Sequence, residues 1–378
     1  MSDKIFVEKL VKKFKNNNQF EIEELNNINE ISNKNLNLLS NFIFQFTRNS
    51  FKNITFSKNI FIPITHLCRN QCSYCGFREE PSKNGQILMK IPKIKKLLEK
   101  AKKFDCKEIL LTFGEKPEEK YPELHEELIK MGYNSLHEYH LKICNMALEM
   151  GLLPHSNPGL LTIKELENLK EVNSSMGLML ESSSKRLCEK GGPHENSPSK
   201  IPEKRLEMIE HAGNLKIPFT TGILIGIGEI FPERVASLIE IKKLHEKYGH
   251  IQEIIIQNFL PKEGTKMENM KPIPIEQLIR TIITARLIFR DSMSIQVPPN
   301  LTLYNLDEIL QVGINDLGGI SPITLDEINP EMRWPSEEEL KKICQRNRLK
   351  LKARLPVYPQ FINSEFVSHK ILKIIESY

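Results

Sequence analysis

Short runs rich in apolar and β-branched residues alternate along the chain with longer segments whose apolar positions recur at helical spacing. The runs are Ile60–Ile64, Glu108–Thr112, Leu152–His155, Ser175–Leu180, Phe219–Ile225, Glu253–Gln257, Ser294–Val297 and a short one at Asn315–Leu317. Between them, Lys90–Lys107 sets Ile94, Leu97, Leu98, Ala101 and Phe104 on one helical face and its lysines on the other. Pro202–Ala212 opens with a proline suited to a first helical turn, and Pro232–Tyr248 and Ile275–Phe289 continue the alternation. Eight strands alternating with helices predict an α/β fold, a TIM-type (β/α)8 barrel, over residues 56–327. Residues 1–55, with apolar positions at Phe6, Leu10 and Phe14 and again from Leu36 to Phe46, read as a helical N-terminal lead-in. Residues 328–378 read as a C-terminal extension of turns and short helices, with Leu355–Pro359 packed on the barrel.

Composition narrows the class without changing that picture. Apolar and charged fractions of 40% and 27% suit a globular chain and argue against disorder. The net charge of +5, from 53 basic and 48 acidic residues spread along the sequence, is too mild to imply a nucleic-acid partner. No apolar run approaches the roughly 18 residues that span a bilayer, and the N-terminus lacks a signal-peptide core. Seven irregularly spaced cysteines do not form a secreted disulfide framework, so a reducing, cytoplasmic location is expected.

In barrels of this type the loops after the strands build the active site. The chemically loaded residues fall there: cysteines after the first strand, Gly114 and Glu115 after the second, His155 and Asn157 after the third, Glu181 after the fourth. Gly226–Glu229 follow the fifth, Gln257 and Asn258 the sixth, and His194, Gln296, Asn300 and Asp316 lie at or near other expected strand ends. Gly222, Gly226 and Gly228 do not complete a dinucleotide-binding fingerprint. In a barrel they would let backbone approach an adenine closely.

Cys68, Cys72 and Cys75 stand at C-x3-C-x2-C spacing. A cubane iron–sulfur cluster usually takes four thiolates. Three leave one iron open, and the amino and carboxylate groups of S-adenosylmethionine can chelate it. The alternatives are a structural zinc site, which needs a fourth ligand and has His66 nearby, and a thioredoxin-like pair, which leaves the third cysteine unexplained. Cys106, Cys144, Cys188 and Cys344 are isolated in sequence.

With Tyr74 before its last cysteine, this motif resembles the signature of the radical S-adenosylmethionine superfamily. Further stretches, Leu111–Glu118, Ser175–Ser182, Pro218–Glu229 and Asn315–Pro322, resemble the 7,8-didemethyl-8-hydroxy-5-deazariboflavin synthase family, the deazaflavin-forming subunit in coenzyme F-420 biosynthesis. The likeness runs from about Ile60 to Tyr358. It departs where Phe113 replaces the first glycine of a Gly-Gly-Glu element and at the locally variable Cys188–Pro193.

The resemblance implies a radical lyase with a 4Fe-4S cluster on Cys68, Cys72 and Cys75. Tyr74, Gly114, Glu115, Glu181, Gly226, Gly228 and Gln257 would lie against S-adenosylmethionine, and His155 and Asp316 are candidates for proton transfer. It implies a small-molecule hydroxybenzyl-ribityl-uracil substrate, a companion 4-hydroxybenzyl transferase subunit that makes it, and an electron donor such as a ferredoxin or flavodoxin. Rival readings are another barrel-type radical enzyme, such as that companion or a biotin-synthase-like protein, and a zinc-stabilised module without catalysis.

Overall fold

The computed structural model describes residues 2–82 and 85–378. Helices α1 (Asp3–Lys15), α2 (Ile22–Asn26) and α3 (Asn33–Ser50) form the expected lead-in. The alternating body follows as β1 (Ile54–Phe61), α4 (Ile91–Lys103), β2 (Glu108–Thr112), α5 (Pro122–Lys130), α6 (Leu136–Glu149) and β3 (Leu153–Asn157). It continues through α7 (Ile163–Lys170), β4 (Ser175–Gly177), α8 (Pro202–Asn214), β5 (Phe219–Ile225), α9 (Phe231–Tyr248) and β6 (Ile251–Asn258). Then come α10 (Ile275–Phe289), β7 (Ser294–Gln296), α11 (Leu306–Leu310) and β8 (Asp316–Ile320). The extension holds α12 (Glu337–Arg346), β9 (Leu351–Arg354) and α13 (His369–Glu376).

Strands β2 to β8 pair in chain order, β8 pairs β1, and β1 pairs β2, so eight parallel strands close into a barrel. Local chemistry sets the helix limits. A reciprocal Thr162–Glu165 capping box starts α7, prolines open α5 and α8, and Gly249 in the left-handed region (φ +65°) ends α9. One apolar core runs from Leu10 and Ile43 of the lead-in through the barrel wall to Leu340 of α12. The lead-in is bound to α10 by Arg280, whose guanidinium donates to the carbonyls of Ile28 and Ile31 at 2.7 Å each.

Several strand limits shift by a few residues, β4 ending at Gly177 where the expected run continued to Leu180, and two elements differ more. Strand β1 starts at Ile54, ahead of the expected Ile60–Ile64, because Ser57 and Asn59 are polar residues buried within the barrel, so the strand carries no continuous apolar run. The extension contributes a strand where turns and short helices were expected: β9 pairs parallel with the first half of β1, in register from Ile54 with Leu351 to Ser57 with Arg354. Of its residues, Leu351 and Arg354 are half-buried and Lys352 and Ala353 exposed, with no alternation, so nothing local marks them as a strand.

Candidate active site

The loop after β1 carries Cys68, Cys72 and Cys75, and backbone contacts hold it on two sides. From β2's end, Gly114 N–H donates to Thr65 O at 3.0 Å, while Arg69 N–H donates to Glu115 O at 3.0 Å. From the long loop after β4, the carbonyls of Pro193 and Asn196 accept from Ser73 and Gln71 at 2.8 and 3.0 Å. Cys68 Sγ accepts from Glu115 N–H at 3.2 Å and Cys72 Sγ from Ser197 Oγ at 3.3 Å. Gly114 is required here, because a Cβ would fall on the Leu67 carbonyl.

All three cysteines line a cavity of about 200 Å³, together with Asn70, Tyr74, Gly114, Glu115, Glu181, Lys200, Arg205 and Gln257. Tyr74 bonds His194 Nε2 at 3.0 Å and joins Leu187, Leu224, Ile227, Phe259 and Met267 in an apolar cluster beside Cys72 and Cys75. Glu115 and Glu181 share Arg205, whose Nη atoms lie 3.8 Å from each carboxylate. Lys200 Nζ donates to Glu181 at 2.5 Å, and Asn70 Nδ2 donates to Glu115 at 3.3 Å. Burial pushes the Glu181 carboxyl upward, but Lys200 and Arg205 outweigh it and hold it below the ordinary carboxylate range. Glu181 sits at φ +64°, a left-handed conformation uncommon outside glycine, pinned by bonds to Gly222 and Leu224 of β5.

The predicted residues do not all converge here. Gly226 and Gly228 line neither this cavity nor the one below it. They turn the chain at φ +95° and +110°, and the N–H groups of Gly226 and Ile227 donate to Glu229 at 2.8 and 2.9 Å. Their left-handed backbone makes the turn into α9, which accounts for the glycines without a ligand. His155 lies in the middle of β3, and Asp316 opens β8 at the end opposite the cysteine loop. Neither is at a C-terminal strand end. The expected runs stopped short, before Ser156 and before Gly318, whereas the strands continue to Asn157 and Ile320.

His155 lines a second, deeper chamber of about 180 Å³, and Thr112, Asn157, Met179, Gln257, Ile328 and Asn329 are common to both walls. His155 Nδ1 lies 2.6 Å from Ser175 Oγ, which donates its proton to Pro356 O at 3.0 Å. The histidine must therefore donate from Nδ1, leaving Nε2 as an acceptor. Burial, then nearby Arg354, push its pKa down to about 3, so it is neutral near pH 7. Asp316 is fully buried and lines neither cavity; it accepts from Arg354 at 2.6 and 2.8 Å and from Thr55.

Asn70, Lys200 and Arg205 at the first cavity, and Glu253 and Arg354 at the second, were missed in the sequence reading. For Arg205 a signal existed: Pro202 marks the helix start directly after the β4 loop, so the first turn of α8 must stand at the rim. For Arg354 there was none, since its position depends on β9 joining the barrel.

The donor set suits an iron–sulfur cluster. Among the described residues no three His, Cys, Asp or Glu groups converge as a single ion would need, whereas three thiols spread around one cavity suit a polynuclear centre with one iron per thiol. Burial pushes Cys68 up to about 11, so a thiolate there needs the cationic partner that iron provides. Beside the thiols, Glu115 Oε1 is buried with no hydrogen bond, only the Arg69 guanidinium 3.7 Å away, an acceptor with room for an ammonium group.

Residues 62–241 match the Radical SAM superfamily model. A protein of Methanopyrus kandleri named 7,8-didemethyl-8-hydroxy-5-deazariboflavin synthase is 48% identical over 325 residues, 85% of this chain and 97% of that one. A protein of the same name from Methanococcus maripaludis is 52% identical over 332 residues, 87% of this chain and 92% of that one. Among solved structures, methylornithine synthase (PylB) shares the fold at TM-score 0.69 and 19% identity, covering 91% of this chain and 97% of that one. The FeFe-hydrogenase maturase HydG from Carboxydothermus hydrogenoformans does so at 0.69 and 18%, covering 90% of this chain and 77% of that one. Long, nearly end-to-end identity at this level, on a barrel whose first loop presents three thiols to a polar cavity, makes this chain a radical S-adenosylmethionine enzyme that belongs to the 7,8-didemethyl-8-hydroxy-5-deazariboflavin synthase family.

Proposed function

We propose that this protein converts 5-amino-5-(4-hydroxybenzyl)-6-(D-ribitylimino)-5,6-dihydrouracil to 7,8-didemethyl-8-hydroxy-5-deazariboflavin, with loss of ammonia and consumption of S-adenosylmethionine as oxidant. The observation that carries this reading is the identity of 48–52% to relatives of that name over most of both chains. Cys68, Cys72 and Cys75 would hold a 4Fe-4S cluster. When bound, that cluster supplies the electron that cleaves S-adenosylmethionine and starts radical chemistry.

The chain's own residues bind and exclude. Glu115, through an Oε1 that makes no hydrogen bond, and Glu181 would take the methionyl ammonium, and Arg205, Arg69 and Asn70 hold the two carboxylates in place. Tyr74, Leu224 and Phe259 form an apolar wall beside the thiols that keeps water from the reacting carbon. His155 Nε2, a neutral acceptor in the adjoining chamber, would take a hydroxyl hydrogen bond from the substrate. Asp316 acts on Arg354 and so serves as a positioning residue. A separate 4-hydroxybenzyl transferase would supply the substrate and a ferredoxin or flavodoxin the electron, in the cytoplasm.

Anaerobic reconstitution with iron and sulfide, followed by dithionite, S-adenosylmethionine and the adduct, tests the reading. Deazaflavin fluorescence together with 5′-deoxyadenosine is the expected result. Deoxyadenosine without deazaflavin would move the substrate elsewhere and refute the assignment.

A further inference from the structure

The chamber beneath the S-adenosylmethionine cavity has a chemistry of its own. Its floor is made by His155, Glu108, Glu253, Thr220 and Asn59 from the strands and by Arg354 and Pro356 from the tail. Arg354 commits four of its five donors within the protein, leaving one Nη1–H: Nε and Nη2 serve Asp316, Nη2 also serves Glu253 at 2.9 Å, and Nη1 serves the Leu355 carbonyl at 3.1 Å. Beyond that single donor, what remains open is acceptor character. His155 presents Nε2, which has no partner among the described residues, and Asn59 Oδ1 is unpartnered in a side chain only 1% exposed. Burial pushes both Glu108 and Glu253 upward. A floor of acceptors and carboxyl groups around a cation that is already neutralised suits hydroxyl groups and opposes an anion.

We infer that this floor binds a neutral polyhydroxylated chain and rejects its phosphorylated form, so that a substrate enters polyol first and keeps its ring system near the thiols. Resting on the proposed function, the inference assigns the ribityl chain to His155, Asn59 and Glu253. The rings then lie at the level of Asn157 and Gln257, which border both cavities. The orientation puts the bonds to be made beside the S-adenosylmethionine cavity and the non-reacting part of the substrate in the barrel, where its binding energy can hold the reacting part in place.

The test is equilibrium binding by calorimetry to the reconstituted holoprotein with S-adenosylmethionine present. Three probes are compared: the hydroxybenzyl-ribityl-uracil adduct, its terminal phosphate ester, and an analogue with a methyl group in place of the ribityl chain. The adduct is expected to bind at least tenfold more tightly than either of the others. His155→Leu and Asn59→Ala are each expected to weaken the adduct about tenfold while leaving the methyl analogue unchanged, a pattern that general misfolding would not produce. Equal affinity for the adduct and its phosphate ester, or equal weakening of adduct and methyl analogue in both variants, overturns the inference. Deazaflavin formation, followed in parallel, reports separately on the proposed function: a polyol-selective protein that makes no deazaflavin would keep the site and lose the reaction.

Discussion

A Cβ at position 114 would meet the Leu67 carbonyl, with Cys68 Cβ 3.0 Å away, so any side chain there must displace the cysteine loop. Gly114→Ala is expected to cost roughly 2 kcal/mol through overpacking and to lower the iron retained after reconstitution, checked by iron-to-protein ratio and thermal unfolding. Unchanged iron content would mean that the loop has slack the geometry does not suggest. Arg205 is a second such point, since its side chain is 4% exposed and it serves Glu115, Glu181 and the Met179 carbonyl together. Removing it as Arg205→Met leaves buried carboxylates short of a partner, a loss of about 3–5 kcal/mol in comparable cases. S-adenosylmethionine affinity is expected to fall more than tenfold, and Arg205→Lys to rescue little, because a single ammonium cannot reproduce the guanidinium's spread of donors.

At the scale of elements, β9 and the turn after it close the lower end of the barrel. Pro356 O accepts from Ser175 and Gln252, and Tyr358 donates to Glu253 at 3.0 Å, so the tail crosses the floor from β1 to β6. Its Arg354 neutralises Asp316, which no other cation reaches among the described residues. Arg354→Met is expected to lower the urea-unfolding free energy by about 3–5 kcal/mol. Adding Asp316→Asn to that variant should restore part of the loss, because the orphaned charge is then gone. A double variant as unstable as the single one would show that the strand pairing, not the ion pair, carries the tail. Much of this architecture was legible beforehand: the alternation of runs and helices pointed to an eight-stranded (β/α)8 barrel. β9 was not legible, because a short Lys- and Arg-bearing segment becomes a strand through its partner and not through its own pattern.

Over the whole molecule, the lead-in and barrel share one core, and a clasp between α1 and α2 helps keep the lead-in folded. Glu24 is nearly buried; it accepts from Lys13 at 2.5 Å and from Glu21 N–H at 2.9 Å, with Lys9 3.0 Å away. Burial raises its pKa, but these partners outweigh burial and bring it down to about 2 from an ordinary 4.5. The folded value is the lower one, so the contribution is complete above the ordinary value and is lost as pH falls through the folded one. Glu24→Gln is therefore expected to cost roughly 1 kcal/mol at neutral pH, with the gap to the unaltered protein narrowing below about pH 4.5, read from denaturant unfolding at a series of pH values. A gap independent of pH would place the effect in packing instead of charge.

The features that the sequence determined by itself are those written in short-range spacing. C-x3-C-x2-C places three thiols on one loop, the period of apolar residues separates strand from helix, and the order of the segments makes each strand parallel to the last. Glu115 and Glu181 were legible for the same reason, each following a run that the strand period had already located. Tertiary structure alone decided what those residues meet. Arg205 and Lys200 reach the carboxylates because α8 and the loop before it fold over the rim. Asn59, His155, Glu253 and Arg354 become one polar floor because closing the barrel brings β1, β3, β6 and β9 to a common interior. Buried polar groups are costly unless partnered, and their partners lie far away in sequence, so this part of the site is visible only once the chain has closed on itself.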